Sequence, residues 1–345
     1  MRWRQREYSR NKIVKAGKTI RRTGEVSDVE LTEAREIVDN WRASHAFPLQ
    51  VFYVFLRKRF PARSYIVAQR LKRLSSISGK LIREPSMSLW AMQDLGGCRV
   101  VVPRIEDIPE AIALIKSSRI RHKLIKENDY IANPRKSGYR SYHMVYRYHS
   151  ERNSTYNNNM LIEIQIRTHL QHLWATAVEA MGLLTKQALK ASVGDEKILD
   201  FFRYVSSLFA LEEATAQVPG YEGTREGLIR LIRQYDEEGN YTAKLSACKV
   251  TLEHAPKSGF RKGAEYYYLL RLDYSTRRLG FRTFSNSADA SDAYNESESD
   301  VLDNESIDIV LVSSTSLNQL KRAYPNYFSD LIEFVNKLEK MIDGF

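Results

Sequence analysis

Glu163-Ile164-Gln165-Ile166-Arg167-Thr168 alternates polar and apolar side chains with a period of two. On a strand, Glu163, Gln165 and Arg167 share one face while Ile164 and Ile166 enter the core. The polar face then carries a carboxylate, an amide and a guanidinium in a row, the groups that a phosphate-and-metal site needs. Taken in isolation, the hexapeptide reads better as a half-exposed strand with solvated polar residues. Outward from it, Cys98-Arg99-Val100-Val101-Val102 is a buried-strand run ended by Pro103, and 108–117 reads as a helix. Residues 141–148 and 161–167 alternate as strands joined by a polar turn, 153–159. Ser27-Asp28-Val29-Glu30 offers an N-cap with a carboxylate three residues on, for a helix reaching Ala43. Helical spacing recurs over 47–56, and 64–74 predicts an amphipathic helix rich in Arg and Lys. Long helices are expected over 169–191 and 196–216. A strand-rich centre wrapped by helices is an α/β fold.

Pro219-Gly220 marks a boundary, giving domains 1–218 and 219–345. The second is expected to hold a helix over 222–238, a short helix containing Cys248, a hairpin over 265–284 turning near Thr276, a strand over 307–312 and a helix ending near Ile342. Residues 285–308 are acidic, rich in Ser and Asn, and free of Lys and Arg. They have no assigned role, though they would suit basic surface on the first domain.

The charge balance narrows the partners. The 345 residues are 43% hydrophobic and 28% charged, which suits a packed core, with a net charge of +11. That surplus fits an anionic partner such as a nucleotide, RNA or DNA, and equally a protein kept soluble by charge. Residues 1–24 set Arg2, Arg4, Arg6, Arg10, Lys12, Lys15, Lys18, Arg21 and Arg22 against one acid, Glu7. Such a run is a solvated face or an arm that touches phosphates. Two separated cysteines, Cys98 and Cys248, make neither a disulfide framework nor a zinc site. A reducing cytoplasm, no signal peptide and no membrane span are expected.

Three further elements accompany the hexapeptide. In Lys136-Ser137-Gly138-Tyr139-Arg140-Ser141-Tyr142-His143, alternation places Tyr139, Ser141 and His143 on one face, and Gly138 permits a turn. An aromatic there can stack on a base, or be an ordinary surface tyrosine. Gln93-Asp94-Leu95-Gly96-Gly97-Cys98-Arg99 sets a carboxylate just before a buried strand, so Asp94 and Glu163 on neighbouring strands suit Mg2+. Arg70-Leu71-Lys72-Arg73, with Lys80 and Arg83, is a basic helix face or a set of phosphate ligands.

In this order and spacing the four elements resemble the synthetase domain of the RelA/SpoT family, over roughly residues 45–215. His172-Leu173-Trp174-Ala175 and Glu179 extend the likeness. The resemblance implies a mixed sheet with flanking helices and an ATP-dependent pyrophosphokinase. It implies that Arg70, Lys72, Lys80 and Arg99 hold ATP, that Asp94 and Glu163 bind Mg2+, and that Glu163 accepts the proton of the attacking hydroxyl. Tyr139 would stack on the acceptor base, with His143, Gln165 and Arg167 along the phosphates. No GxxxxGK[ST] element and no His-Asp dipeptide occur, so neither a P-loop nor the metal-dependent hydrolase of long family members is expected.

The tail narrows the resemblance further. Tyr266-Tyr267-Tyr268-Leu269-Leu270-Arg271-Leu272 and the Tyr324-x-x-Tyr327 element resemble the C-terminal antitoxin region of CapRel-type fused toxin–antitoxin synthetases. That implies an α+β regulatory domain of pseudo-zinc-finger kind, with no zinc, that covers the ATP site through Tyr324 and Tyr327. It implies release by a phage protein, typically a capsid protein, and pyrophosphorylation of the 3′ CCA end of tRNA. As plain aromatics of a docking helix, the same two tyrosines would carry no regulation. Two other functions share these motifs: an alarmone synthetase using GDP or GTP, and an inactive sensor module.

Overall fold

The computed structural model describes residues 3–22, 24–60, 65–152, 154–157, 159–185, 187–189, 192–247, 266–273, 278–301, 307–314 and 326–344. The chain opens with α1 (Arg10–Arg21), α2 (Asp28–Ala43) and α3 (Ala46–Arg59). Ser27 starts α2 as expected, its hydroxyl accepting from the Glu30 amide while the Glu30 carboxylate accepts from the Ser27 amide. Next come β1 (Ile66–Leu71), α4 (Leu74–Arg83), β2 (Gly96–Val102), α5 (Asp107–Lys116), β3 (Lys123–Asp129), β4 (Tyr142–Arg147) and β5 (Leu161–Thr168).

These strands form one five-stranded mixed sheet in the order β1-β2-β5-β4-β3, in which β2 and β5 run parallel and the other neighbours antiparallel. Ile162, Ile164 and Ile166 of β5 and Val100 and Val102 of β2 are fully buried on the face covered by α3 and α5. Period-two alternation therefore sends Glu163, Gln165 and Arg167 to the opposite face.

The expected helix over 64–74 is instead β1, followed directly by α4. Val67 and Ala68 are buried, and all six residues pair with β2 in unbroken register. Ladder pairing outweighs the helix-like spacing of Arg70, Lys72 and Arg73. Also, β4 begins one residue later than expected, and the helix expected over 169–191 ends at Thr185.

Beyond the sheet, α6 (His169–Thr185), α7 (Glu196–Glu212), α8 (Arg225–Gly239) and α9 (Tyr241–Ala247) form a helical bundle. A three-stranded antiparallel sheet, β7-β6-β8, is made from β6 (Tyr266–Asp273), β7 (Arg278–Phe284) and β8 (Ile307–Ser314). The acidic stretch forms helix α10 (Ser287–Asp300), which packs on this sheet through Ala293 and Tyr294. The last helix, α11 (Asn326–Asp343), buries Leu331, Phe334, Val335, Leu338 and Met341 among the side chains of α6 to α9. The bundle thus has members on both sides of the expected 218/219 boundary. Among the described residues no helix is long and apolar enough to cross a membrane.

Candidate active site

The polar face of the sheet is assembled by register. Arg70 of β1 lies opposite Gly97, Gly97 opposite Glu163, Arg99 opposite Gln165, and Gln165 opposite His143. Five functional positions from four strands thus meet on one surface, and hydrogen bonds link three of them, His143, Glu163 and Gln165, to Tyr139 and Arg167. His143 Nδ1 lies 2.9 Å from Glu163 Oε1, and His143 Nε2 lies 2.9 Å from the Tyr139 hydroxyl. Gln165 Nε2 donates to Glu163 Oε2 at 2.7 Å, and Arg167 Nη2 donates to Gln165 Oε1 at 2.7 Å. The Arg167 guanidinium also lies 5.8 Å above the Tyr139 ring.

Gly138 makes the turn that delivers Tyr139. Its φ is +89°, and a Cβ there would stand 2.8 Å from Trp174 and 3.0 Å from Ser206. Arg140 anchors the same turn by donating to the hydroxyls of Ser206 and Thr215 at 3.0 Å each. Ser141 is buried beside this turn and donates to the Ile166 carbonyl.

The electrostatics follow from these contacts. Burial works to raise the Glu163 carboxyl pKa, but the bond from His143 and its charge hold it below the ordinary range. Burial disfavours a charged His143, yet Tyr139 and Glu163 outweigh it and bring the imidazole up to about 9. Both contacts of the imidazole therefore favour its protonated form. Burial would raise the Tyr139 phenol as well, and Arg167 and His143 instead bring it down to about 8.

Of the cations expected for ATP, Arg70 lies on β1, Lys72 just after it, Lys80 on α4 and Arg99 on β2. Lys72 Nζ is 2.9 Å and Lys80 Nζ 3.3 Å from Asp94 Oδ2. Burial pushes the Asp94 carboxyl up, and the two lysines overcome it and hold it at about 2. Arg70 Nη1 and Arg73 Nη2 lie 3.7 and 3.4 Å from Glu179 Oε1 on α6. The Nε atoms of Arg99 and Arg167 are buried without a hydrogen-bond partner, donors suited to an anionic ligand. Asp94 and Glu163 feel each other's charge, which works to raise the Glu163 pKa. Two nearby carboxylates beside phosphate-binding cations fit Mg2+, which takes few protein oxygens and completes its shell with water and phosphate. Among the described residues no group of three or more His, Cys, Asp or Glu could hold a metal ion.

Several participants carried little or no signal in the sequence. Tyr130 meets Tyr139 edge-on at 6.3 Å and His143 at 5.1 Å, while the Arg135 guanidinium sits 4.3 Å over its ring. Arg42 and Asp330 reach the neighbourhood from α2 and α11, as set out below. Of the two tyrosines expected to regulate the site, Tyr324 lies outside the described residues. Tyr327 falls within α11, with its side chain likewise outside them.

Residues 69–186 match the family described as "Region found in RelA / SpoT proteins". GTP pyrophosphokinase YjbM of Bacillus subtilis is 36% identical over 118 residues, which are 34% of this chain and 55% of the relative. The chain thus spans about half the length of that curated relative. Among solved structures, small alarmone synthetase 1 of Bacillus subtilis bound to pppGpp is similar at 24% identity and a TM-score of 0.41, over 58% of this chain and 93% of that one. A GTP pyrophosphokinase family protein of Streptococcus pneumoniae is similar at 27% identity and a TM-score of 0.39, over 55% of this chain and 93% of that one. The cation row, both carboxylates and the Tyr139–His143–Glu163 chain all lie inside residues 69–186, the stretch that matches the RelA/SpoT region.

Proposed function

We propose that the chain is an autoinhibited ATP-dependent pyrophosphokinase that transfers pyrophosphate from ATP to the 3′ CCA end of tRNA and so blocks translation. In this reading the C-terminal segment is the inhibitor, Tyr324 and Tyr327 contribute to it, and a phage protein such as a major capsid protein releases it. The observation that carries the catalytic part is the chain Tyr139–His143–Glu163 beside the cations of β1, β2 and β5 on one sheet face.

The ribose hydroxyl oxygen attacks the β-phosphorus of ATP, the bond from that phosphorus to the α-phosphate oxygen breaks, and AMP leaves. Glu163, held ionised by His143, accepts the hydroxyl proton. Arg70, Lys72, Lys80, Arg99 and Arg167 hold the phosphates in line, so catalysis is positioning and charge neutralisation. Asp94 and Glu163 would hold Mg2+, which supplies further neutralisation of the triphosphate when bound.

The acceptor reading draws on charge. Lys12, Lys15 and Lys18 are exposed on α1, while Arg6 and Arg10 lie over Trp90 at 5.6 and 5.9 Å. This arm stands beside α4, which carries Lys80, so a polyanion bound there would lie near the site. A second reading, alarmone synthesis from GDP or GTP, is favoured by the similarity to a relative named GTP pyrophosphokinase.

The test incubates full-length chain opened by Tyr324→Ala/Tyr327→Ala with γ-labelled ATP and either tRNA or GDP. Label on the tRNA 3′ end supports the first reading, and label on GDP alone replaces it with the second. Glu163→Gln in the same background is expected to lower transfer at least about a hundredfold. Transfer at the parent rate would remove Glu163 from the mechanism.

A further inference from the structure

Helix α10 is acidic, yet one of its carboxylates is not solvated. Asp289, Asp292, Glu296 and Asp300 are exposed, whereas Glu298 is only 6% exposed. Its Oε1 accepts from the backbone N–H of Leu74, the first residue of α4, at 3.4 Å. Its Oε2 is buried with no hydrogen-bond partner and lies 3.7 Å from Arg42 Nη2. Arg42 is itself fully buried. It donates Nε to the Lys72 carbonyl at 2.7 Å, Nη1 to Asp39 at 3.2 Å and Nη2 to the Tyr294 hydroxyl at 2.9 Å. The Tyr294 ring lies 5.1 Å from the same guanidinium.

Capping alone is a weak account of this arrangement. A helix start needs only a Ser, Thr, Asp or Asn beside it. Here Arg73 stands at the cap position, no acid occupies the first turn, and the acceptor comes from a residue 224 positions away. The α4 N-terminus, with the positive end of its helix dipole, is joined by Arg42, and Arg70, Lys72 and Arg73 stand just before it in the chain. That is a seat for an anion, more positive than one cap requires. Tyr294 and Glu298 are four residues apart on one face of α10, so an aromatic ring and an anion arrive together.

We propose that the α4 N-terminus and Arg42 form an anion seat of the ATP cleft, and that Glu298, with Tyr294, fills it as an internal substitute for a phosphate. The proposal rests on the reading of Arg70, Lys72 and Lys80 as ATP ligands. With α10 seated, the triphosphate competes with a tethered carboxylate. With α10 displaced, the seat opens and the Lys72 carbonyl loses a neighbour that fixes its Arg42 partner.

The experiment uses the full chain carrying Glu298→Gln, which keeps an acceptor for the Leu74 N–H and removes the charge, and Glu298→Ala, which removes both. Binding of the α,β-methylene analogue of ATP and of inorganic tripolyphosphate is measured by calorimetry, with melting temperature as the check of folding. Both variants are expected to bind the analogue about tenfold or more tightly than the parent. A cap with no other role predicts that Glu298→Ala lowers the melting temperature and that neither variant shifts affinity. Affinities within twofold of the parent in folded Glu298→Gln therefore overturn the proposal, even where Glu298→Ala fails to fold. Tighter tripolyphosphate with no analogue binding in any form upholds the seat and removes the ATP assignment on which its role rests.

Discussion

His143 ties Tyr139 to Glu163, and under the proposed function that contact joins the acceptor to the base. Tyr139 therefore has two separable properties, a ring for stacking and a hydroxyl that meets the imidazole. Tyr139→Phe keeps the first and removes the second. It is expected to lower kcat about tenfold while leaving the KM for the acceptor within a factor of about three, because the contact acts on the orientation of His143 and Glu163. Tyr139→Ala removes the ring too, and loss of a base stack costs about 1–3 kcal/mol, read as a higher acceptor KM. Equal KM effects from the two variants would show that the ring does not meet the base. Strand alternation puts Glu163, Gln165 and Arg167 on one face in the sequence, but only the resemblance to the RelA/SpoT synthetase pattern singles them out, and only the β4–β5 register brings His143 to them. Tyr130 and Arg42 were not legible, since neither lies in a pattern and each reaches the site only through the chain's tertiary path.

At the scale of elements, β1 and α10 show where local pattern misleads. Basic residues at 70, 72 and 73 match a helix face as well as the end of a strand, and only the partner strand β2 decides. In α10 the described buried positions are Ala290, Ala293, Tyr294 and Glu298, so small and polar side chains make up much of a core face that apolar periodicity is meant to reveal. In α11 the sequence indicated a helix ending near Ile342, but not its polar contribution. Asp330 is buried with Oδ2 3.2 Å from His172 Nε2 on α6. Burial and Glu333 raise the Asp330 carboxyl from 3.8 to about 8, against the pull of Arg99. Burial, Arg99 and Arg167 drive His172 well below its ordinary value. Both shifts favour the uncharged forms, in which the Asp330 hydroxyl donates a hydrogen bond to His172 Nε2. A raised carboxyl pKa means that the folded chain holds a proton the unfolded chain has lost. The resulting stability is full below about pH 4, declines as pH rises, and is gone above about 8. Melting temperature is expected to fall between pH 6 and 9 in the parent and to vary less in Asp330→Asn, which cannot ionise. Identical pH profiles for the two proteins would show that Asp330 is not the group that titrates.

At the scale of the molecule, the C-terminal part is held in two different ways, and this decides how it can be released. Helix α10 and its sheet touch the catalytic body through the cluster of Arg42, Tyr294 and Glu298, and through Leu71 beside Leu269 and Ile309. Helix α11 shares a core with α6 and α7, where Phe334 lies 6.3 Å from Phe202 and 5.8 Å from Phe209, ring centre to ring centre. His169 and Glu333 add a 2.8 Å contact at the rim. Cutting the chain before Tyr221 removes α8, α9 and α11 together, and with them Leu228, Ile232, Leu331, Phe334, Val335 and Leu338 from one core. Each fully buried apolar side chain is worth about 1.5–3 kcal/mol, against a net stability of about 5–15 kcal/mol for a typical domain. The fragment 1–220 is therefore expected to lose cooperative melting, bind a hydrophobic dye and show no transfer, whereas the full chain melts cooperatively. An activator that works by binding would then have to lift α10 and its sheet while leaving α11 in place, because displacing α11 exposes the bundle that supports α6 and Glu179. A fragment 1–220 that melts as sharply and at the same temperature as the full chain would overturn this division. It would show that α6 and α7 stand without their partners and that the whole C-terminal part can leave as one piece.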